Sequence, residues 1–383
     1  LSKEITVLYV FFQLPQKANG GISSLVEIIK GDSADQSIVV TQLETPLNAQ
    51  LRSLGIKVLV LPQEFVGGGI WRKIKFSFHL KRILGGQKIS VLHTNDIASF
   101  LHIFPIAMLK RWRIVHNIRG VKIPSQKYGW HWALLSFSQR IVSLSNEMEK
   151  ELRNRLPIPR FMSAKQLFSH VYSIVDFTRF YPVGSQEKKV ALRRQLGLSE
   201  SESIVLFVAR FWSLKQQLEY LRALTNEGAR FVTVFVGDFH PDEDEYAKKC
   251  AAVIEQLPGG QCVTVGFAQR VEDYYRAADL VVVPTEREGM ARCMIEGLAS
   301  GLPVVSFDVC SAREILEGHD CGIVIGQGDY PGLFSALNRL ADDAGLRAAM
   351  GKRGAVTARR LFDKETALAA YRKLYHELTE RNG

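Results

Sequence analysis

Long hydrophobic runs are missing from this chain of 383 residues. No uninterrupted apolar stretch approaches the roughly 18 residues that cross a bilayer, so nothing reads as a transmembrane helix. The opening run Ile5–Phe11 is too short, and too soon followed by polar residues, to read as a signal peptide. Cysteine is scarce. Cys250, Cys262, Cys293, Cys310 and Cys321 all lie in the second half, and no two of them form a CxxC pair. An odd count with neither metal nor disulfide spacing fits buried thiols in a reducing compartment and sets the expectation of a cytoplasmic protein. GxGxxG and Walker sequences are absent too, which counts against a dehydrogenase or an ATPase. No recognised nucleic-acid-binding module, short-period repeat or low-complexity tract is present, so nucleic acid is not expected as a partner.

What is present is enough for two buried cores. Hydrophobic residues make up 46% and charged residues 23%, and the length suits two domains rather than one. The net charge of +10 is unevenly placed. Residues 1–182 carry 24 Lys and Arg against 11 Asp and Glu, whereas residues 183–383 carry 25 against 28. The whole excess lies in the first half. A one-sided basic surface attracts anions without choosing among nucleic acid, acidic lipid and an anionic substrate.

Short β-rich runs alternate with helical segments from end to end. The first half reads as strands at Ile5–Phe11, Ser37–Val40, Val58–Leu61, Val91–His93, Arg113–Asn117 and Arg140–Leu144. The second repeats the pattern at Ile204–Ala209, Phe231–Val236, Val263–Val265, Leu280–Val283, Val304–Phe307 and Gly322–Ile325. These runs are continuously apolar, as parallel strands covered on both faces are. The expectation is an α/β protein with two doubly wound sheets. Tyr181-Pro182-Val183-Gly184-Ser185 breaks both periodicities and places the joint there, giving domains 1–182 and 183–362. The remainder, 363–383, is a helix with Leu368, Tyr371, Leu374, Tyr375 and Leu378 at spacings of three and four, expected to pack back on the N-terminal domain.

Three strings carry chemistry. The densest runs from Glu286 to Val305 and holds Glu288 and Glu296 with seven residues between them. A helix starting near Arg292 puts Glu296 in its first two turns and Glu288 in the loop before it, both at the carboxyl edge of a parallel sheet. Carboxylates there accept hydrogen bonds from vicinal hydroxyls, and the helix N-terminus offers N–H groups to phosphate. The second string ends the half's first strand, with Arg210 and Lys215 five residues apart. Two cations there can neutralise a diphosphate. The third, Gln16 to Ile22, contains Gly20-Gly21 between a strand and a helix, where the main chain can approach a ligand closely.

Together these strings resemble the retaining GT-B glycosyltransferases of family 4, the group 1 glycosyltransferases, over nearly the whole chain. Gly237-Asp238, Tyr274–Pro284 and Val175-Asp176 through Phe180-Tyr181-Pro182 add to the likeness, although Ser173-Ile174 stands where the family usually has Asn-Gly. The resemblance implies two Rossmann-like domains facing each other across a cleft. It implies that Glu288 holds donor-sugar hydroxyls, Glu296 the ribose, and the N–H groups of Gly289 and Met290 the sugar. Arg210 and Lys215 would bind the diphosphate, with Gly20 and Gly21 closing on it from the other domain. His116 matches the family's strand-end histidine beside the transferred sugar, and Arg119 would assist an anionic acceptor or phosphate. By the same resemblance the activity is transfer of a hexose from a nucleotide-sugar, UDP-linked before GDP-linked, with retention. The acceptor would be a glycan or lipid-linked molecule in bacterial surface polysaccharide or lipopolysaccharide synthesis.

No cofactor and no metal are expected. Asp242-Glu243-Asp244 spells the Asp-x-Asp of metal-dependent sugar transferases, but it lies in a wholly acidic run that reads as a solvated loop or helix start. Basic and aromatic residues mix from Trp71 to Arg82 and again from Lys110 to Arg113, a composition suited to the inner face of an anionic plasma membrane. Two alternatives share parts of this pattern. A hydrolysing nucleotide-sugar epimerase of the same architecture needs no acceptor, and a non-catalytic glycan-binding protein leaves the phosphate and ribose constellation unexplained.

Overall fold

The computed structural model describes residues 5–12, 20–31, 37–62, 70–119, 134–155 and 167–380. The chain forms two compact units, Leu1–Ile174 with Lys364–Gly383, and Val175–Asp363.

The N-terminal unit is built on seven strands: β1 (Val7–Val10), β2 (Ser37–Thr41), β3 (Lys57–Val60), β4 (Val91–Thr94), β5 (Arg113–Asn117), β6 (Arg140–Ser143) and β7 (Phe168–His170). They pair in parallel in the order β3-β2-β1-β4-β5-β6-β7. Helices α1 (Gly20–Gly31), α2 (Pro46–Ser53), α3 (Ile70–Leu84), α4 (Ile97–Lys110) and α5 (Asn146–Arg155) lie between them in sequence. β1 reads Val-Leu-Tyr-Val and is buried at every position, because helices cover both faces of a parallel sheet. β7 has no signature in the sequence: three residues, Phe-Ser-His, are too few to show a period.

The C-terminal unit opens with α6 (Gln186–Gln195) and continues through β8 (Ile204–Val208), α7 (Gln217–Asn226), β9 (Val232–Val236) and α8 (Glu245–Ile254). There follow β10 (Cys262–Gly266), α9 (Val271–Ala277), β11 (Leu280–Val283), α10 (Arg292–Ala299), β12 (Val304–Phe307) and β13 (Gly322–Ile325). Two helices, α11 (Tyr330–Asp342) and α12 (Ala344–Leu361), close the unit. Its six strands pair in parallel in the order β10-β9-β8-β11-β12-β13. The core gathers Phe207, Tyr220, Phe235, Val282, Phe307 and Phe334. Each such side chain contributes roughly 1.5–3 kcal/mol on burial.

The joint differs from the expected 182/183 and falls at 174/175. Phe180 explains the shift: it is buried, and its ring meets Tyr275 edge-on at 5.4 Å. Arg179 pairs with Glu272 at 2.7 Å, and Pro182 sits where a side chain on Gly301 would touch it at 3.1 Å. The Pro-Gly segment breaks periodicity yet is anchored inside the C-terminal unit. At the other crossing, the Val175 N–H donates to the Phe362 carbonyl at 3.0 Å. The last helix, α13 (Lys364–Glu380), then adds Leu368, Tyr371, Leu374, Tyr375 and Leu378 to the core around Tyr9, Leu25 and Val115 in the N-terminal unit.

Candidate functional site

A doubly wound sheet opens where its strand order reverses, because successive crossovers leave toward opposite sides there. In the C-terminal unit that point lies between β8 and β11. The exit of β8 carries Arg210 and then a 3-10 turn, Ser213–Lys215. The exit of β11 carries Thr285 to Ala291 and leads into α10. The backbone ties the two loops together: the Glu286 N–H donates to the Leu214 carbonyl at 3.0 Å, and the Thr285 hydroxyl donates to the same oxygen at 2.8 Å. Gln216 ends the turn at φ 62°, a left-handed conformation, and its side-chain oxygen accepts from the Tyr330 hydroxyl at 3.1 Å. At the neighbouring exit of β9, a side chain on Gly237 would run into the Ala209 carbonyl, so only glycine lets these loops lie so close.

Charge converges on this edge. Lys215 and Glu288 form an ion pair through Nζ and Oε1. Burial pushes the Lys215 ammonium down, and the Arg210 guanidinium works in the same direction. Arg210 itself is exposed and stacks over the Trp212 ring, 4.5 Å from its centroid. Its carbonyl accepts from Gln217 Nε2 at 2.9 Å, which fixes the backbone from which it projects. Gly289 and Met290 are buried, and the Gly289 carbonyl accepts from the Ser311 hydroxyl at 3.3 Å. Ala291 occupies the N-cap of α10 and has no side chain to accept from the helix's first N–H groups. Cys293 stands beside Lys215, but burial lifts its thiol to about 11 and keeps it neutral.

Glu296 lies one turn into α10 and is 8% exposed. Its Oε1 accepts from Arg292 Nε at 3.0 Å and Nη2 at 2.9 Å, and its Oε2 from the Tyr275 hydroxyl at 3.1 Å. Burial, reinforced by the Glu296 charge, raises Tyr275 well above its ordinary range, so the phenol remains a donor. Six residues singled out from the sequence thus meet on one edge of one unit: Arg210, Lys215, Glu288, Gly289, Met290 and Glu296. The sequence pattern assigns no such role to Tyr275, Arg292 or Trp212. Arg292 and Glu296 do stand at helical i, i+4 spacing, which is the available signal.

The other four belong to the N-terminal unit. Gly20 and Gly21 are the first two residues of α1, and residues 13–19 before them lie outside the described set. His116 is 3% exposed, held through Nδ1 by the Thr94 hydroxyl at 2.7 Å and packed on the Phe100 ring at 5.1 Å. Burial lowers it to about 3, so the imidazole is neutral. Arg119 Nε donates to Asn95 Oδ1 at 2.8 Å. Asn117 Nδ2 reaches the same oxygen at 3.3 Å, and its own Oδ1 accepts from the Tyr371 hydroxyl at 3.2 Å. Of the acidic run, Asp244 is spent as the N-cap of α8, accepting from the N–H groups of Tyr246 and Ala247 at 2.9 Å each. Among the described residues, no three His, Cys, Asp or Glu side chains group as a metal site would need.

Known proteins resemble this chain at two levels. The crystal structure of Anabaena HepE in complex with UDP has a TM-score of 0.81 at 18% identity, covering 97% of this chain and 99% of that one. A glycosyltransferase from Rickettsia africae has a TM-score of 0.84 at 17% identity, with 100% of both chains covered. In sequence, the D-inositol 3-phosphate glycosyltransferase of Corynebacterium jeikeium is 28% identical over 211 residues, 53% of this chain and 50% of that protein. The chain spans about half the length of the curated relatives it matches. Two Rossmann-like units, each a parallel sheet wound with helices, define the GT-B fold class. Residues 188–357 match the model of the family described as group 1 glycosyl transferases.

Proposed function

We propose that the protein transfers a hexose from a nucleoside diphosphate sugar to a hydroxyl acceptor, with retention and without a divalent metal. The observation that carries this reading is the Lys215–Glu288 pair beside Arg210 at the strand-order reversal of the C-terminal unit. An arriving diphosphate supplies the anion that Lys215 now finds in Glu288. That exchange frees the carboxylate for sugar hydroxyls, while Arg210 swings from Trp212 onto phosphate oxygens. The uncapped start of α10 adds N–H groups, and Glu296 takes a ribose hydroxyl.

In the reaction the anomeric C–O bond breaks and its electron pair goes to the diphosphate. The acceptor hydroxyl attacks from the same face, and its proton passes to the departing phosphate oxygen. Lys215 and Arg210 stabilise the charge that develops there, and orientation supplies the rest. Within the N-terminal unit, His116 offers a neutral imidazole at its strand end, and Arg119 a cation suited to an anionic acceptor or phosphate. Uridine is the favoured base, because HepE was crystallised with UDP and with UDP-glucose, with guanosine second.

The acceptor is assigned as a glycan or lipid-linked molecule of a bacterial surface polysaccharide. On α3, Trp71, Lys75, Phe78 and Arg82 follow at i, i+4, i+7 and i+11, and all four are exposed, Trp71 at 75% and Phe78 at 68%. Such a stripe suits an anionic leaflet, and we assign it peripheral contact there. Among the described residues no helix is long and apolar enough to cross a membrane. Sedimentation with anionic liposomes at low salt should carry the protein down, and failure to sediment removes this assignment.

The decisive test is calorimetric titration with UDP, GDP, ADP and CMP in EDTA. Selective binding of UDP or GDP, abolished in Glu296→Ala, is the expected result. Binding only after a divalent ion is added would end the metal-free reading. No binding by folded protein would end the donor-site reading altogether. Nucleotide release that needs no acceptor would mark a hydrolysing epimerase instead.

A further inference from the structure

The role of the two side chains that hold Glu296 rests on the assignment of that carboxylate to a ribose hydroxyl. A carboxylate offers about four acceptor positions, two on each oxygen. Arg292 takes two on Oε1 through Nε and Nη2. Tyr275 takes one on Oε2. One position is left for a ligand, on the oxygen that Tyr275 holds.

The two partners approach from different elements, Tyr275 from α9 and Arg292 from the first turn of α10. Both are held in place. Tyr275 is fully buried, with Phe180 edge-on against its ring at 5.4 Å. Arg292 grips one oxygen with two nitrogens of a planar guanidinium, a geometry that lysine cannot reproduce. A glutamate left to itself samples several rotamers and is ordered only as a hydroxyl binds. Here the ordering is complete before the ligand arrives, and the remaining acceptor position has a fixed direction.

We infer that Tyr275 and Arg292 are positioning residues for Glu296, and that together they set the preference of this site for ribonucleotides over deoxyribonucleotides. Neither need touch the ligand. Their effect is specific to the hydroxyl that Glu296 receives, and that specificity separates positioning from a general contribution to the fold.

Calorimetry on the full chain with UDP, 2′-deoxy-UDP and 3′-deoxy-UDP reads the effect directly, or with the guanosine series where GDP binds more tightly. The wild type should bind the parent nucleotide about tenfold or more tightly than the more penalised deoxy analogue, because that analogue leaves a buried acceptor unpaired. In Tyr275→Phe that ratio should fall to about threefold or less, through weaker binding of the parent nucleotide with the analogue unchanged. Arg292→Lys should act likewise, and it carries the test where Tyr275→Phe does not fold by circular dichroism. Equal weakening of parent and analogue would mean a structural role only and overturns the inference, as would an undiminished ratio in both variants. A different pattern reports on the donor site itself. If the wild type binds the parent and both analogues alike, the assignment of Glu296 to ribose is wrong, and the inference goes with it.

Discussion

The carboxyl edges of the two sheets are made from different chemistry, although both sheets wind the same way. In the C-terminal unit the edge carries formal charges: Arg210, Lys215, Glu288, and Glu296 with Arg292. In the N-terminal unit the described residues of that edge are the amides Asn95 and Asn117 and the imidazole of His116, with Arg119 tethered to an amide and Asp96 taken up by the N–H groups of Ser99 and Phe12. The overall charge runs the other way. The N-terminal unit holds 27 Lys and Arg against 13 Asp and Glu, and the C-terminal unit 22 against 26. Net charge on a unit therefore says little about where its chemistry sits. Surface lysines and arginines set a long-range field, whereas a site needs a few charges held at a backbone edge. That contrast is open to experiment at each edge.

Charge at the opposite, amino edge of the C-terminal sheet should serve stability alone. Asp279, just before β11, accepts from Arg193 Nη2 and Lys189 Nζ at 2.6 Å each and from the Ile204 N–H at 2.7 Å. Burial works to raise its carboxyl, but Lys189 and Arg193 outweigh burial and hold it below its ordinary value. Burial also weakens the Lys189 ammonium, so Arg193 is the firmer partner. Asp279→Ala strands two buried cations and should cost about 3–5 kcal/mol of unfolding free energy, measured by urea titration. A depressed carboxyl contributes stability above its unfolded pKa and loses it as pH falls through its folded one. The wild-type advantage over Asp279→Ala should therefore persist at neutral pH and vanish in strong acid. Nucleotide affinity of the folded fraction should not change.

At the carboxyl edge the expectation reverses. Lys215→Ala should lower turnover at saturating donor about a hundredfold, a typical loss for one transition-state contact, while thermal stability hardly moves. Arg210→Ala should lower turnover at least as much as it weakens donor binding. Unchanged turnover in Arg210→Ala would remove that residue from the site.

Acid should tell the two units apart. His93 and His116 are both buried in the N-terminal unit and both lowered to about 3, His93 by burial first and then by the Arg119 charge. A histidine depressed in the folded state stays neutral there, while the unfolded chain takes up a proton below about pH 6.5. Its stability contribution is thus present above that pH and lost as pH falls toward 3, at roughly 1.4 kcal/mol per pH unit for each histidine. Asp279 and Glu272 in the C-terminal unit are lowered carboxyls and keep their contribution until pH falls into the carboxylate range, and the one lowered histidine described there, His319, is only partly buried and lies outside β8 and β11. Hydrogen exchange between pH 6.5 and 4.5 should show β4 and β5 losing protection while β8 and β11 keep theirs. Loss in both units at the same pH would erase the contrast.

How much of the fold and site is legible in sequence depends on the distance over which each contact acts. The strands are, because a buried parallel strand writes its environment into four or five successive residues; Leu280–Val283, Val304–Phe307 and Gly322–Ile325 match the structure at both ends. So is the edge on which Arg210, Lys215, Glu288 and Glu296 meet, since two adjacent strand exits carry all four. The hold of Tyr275 on Glu296 is not, because 21 residues separate them and a tyrosine after a helix start has no pattern of its own. The joint is displaced from its expected place because a Pro-Gly break marks a change of direction, and only the packing of Phe180 shows which unit owns it.

The smallest effect falls on a contact invisible to local pattern. Tyr371 on α13 donates to Asn117, 254 residues earlier in sequence, and Asn117 shares Asn95 with Arg119. His93 lies between the Tyr9 and Tyr371 rings at 5.2 and 5.4 Å, with its Nδ1 2.5 Å from the Tyr375 hydroxyl. The last helix thus reaches Asn117 and His93 through two phenols, while its ion pairs, Lys364 with Glu27 and Glu377 with Arg140, lie elsewhere on the unit. Tyr371→Phe keeps the ring and the core packing and removes one hydrogen bond, so it should cost about 1 kcal/mol. Faster amide exchange should appear at Asn117–Arg119 and not at β11. A loss spread evenly over the N-terminal unit would make the phenol one more core contact. A loss confined to the β5 exit would make the last helix the support for Arg119, by a route of neutral hydrogen bonds through Tyr371, Asn117 and Asn95.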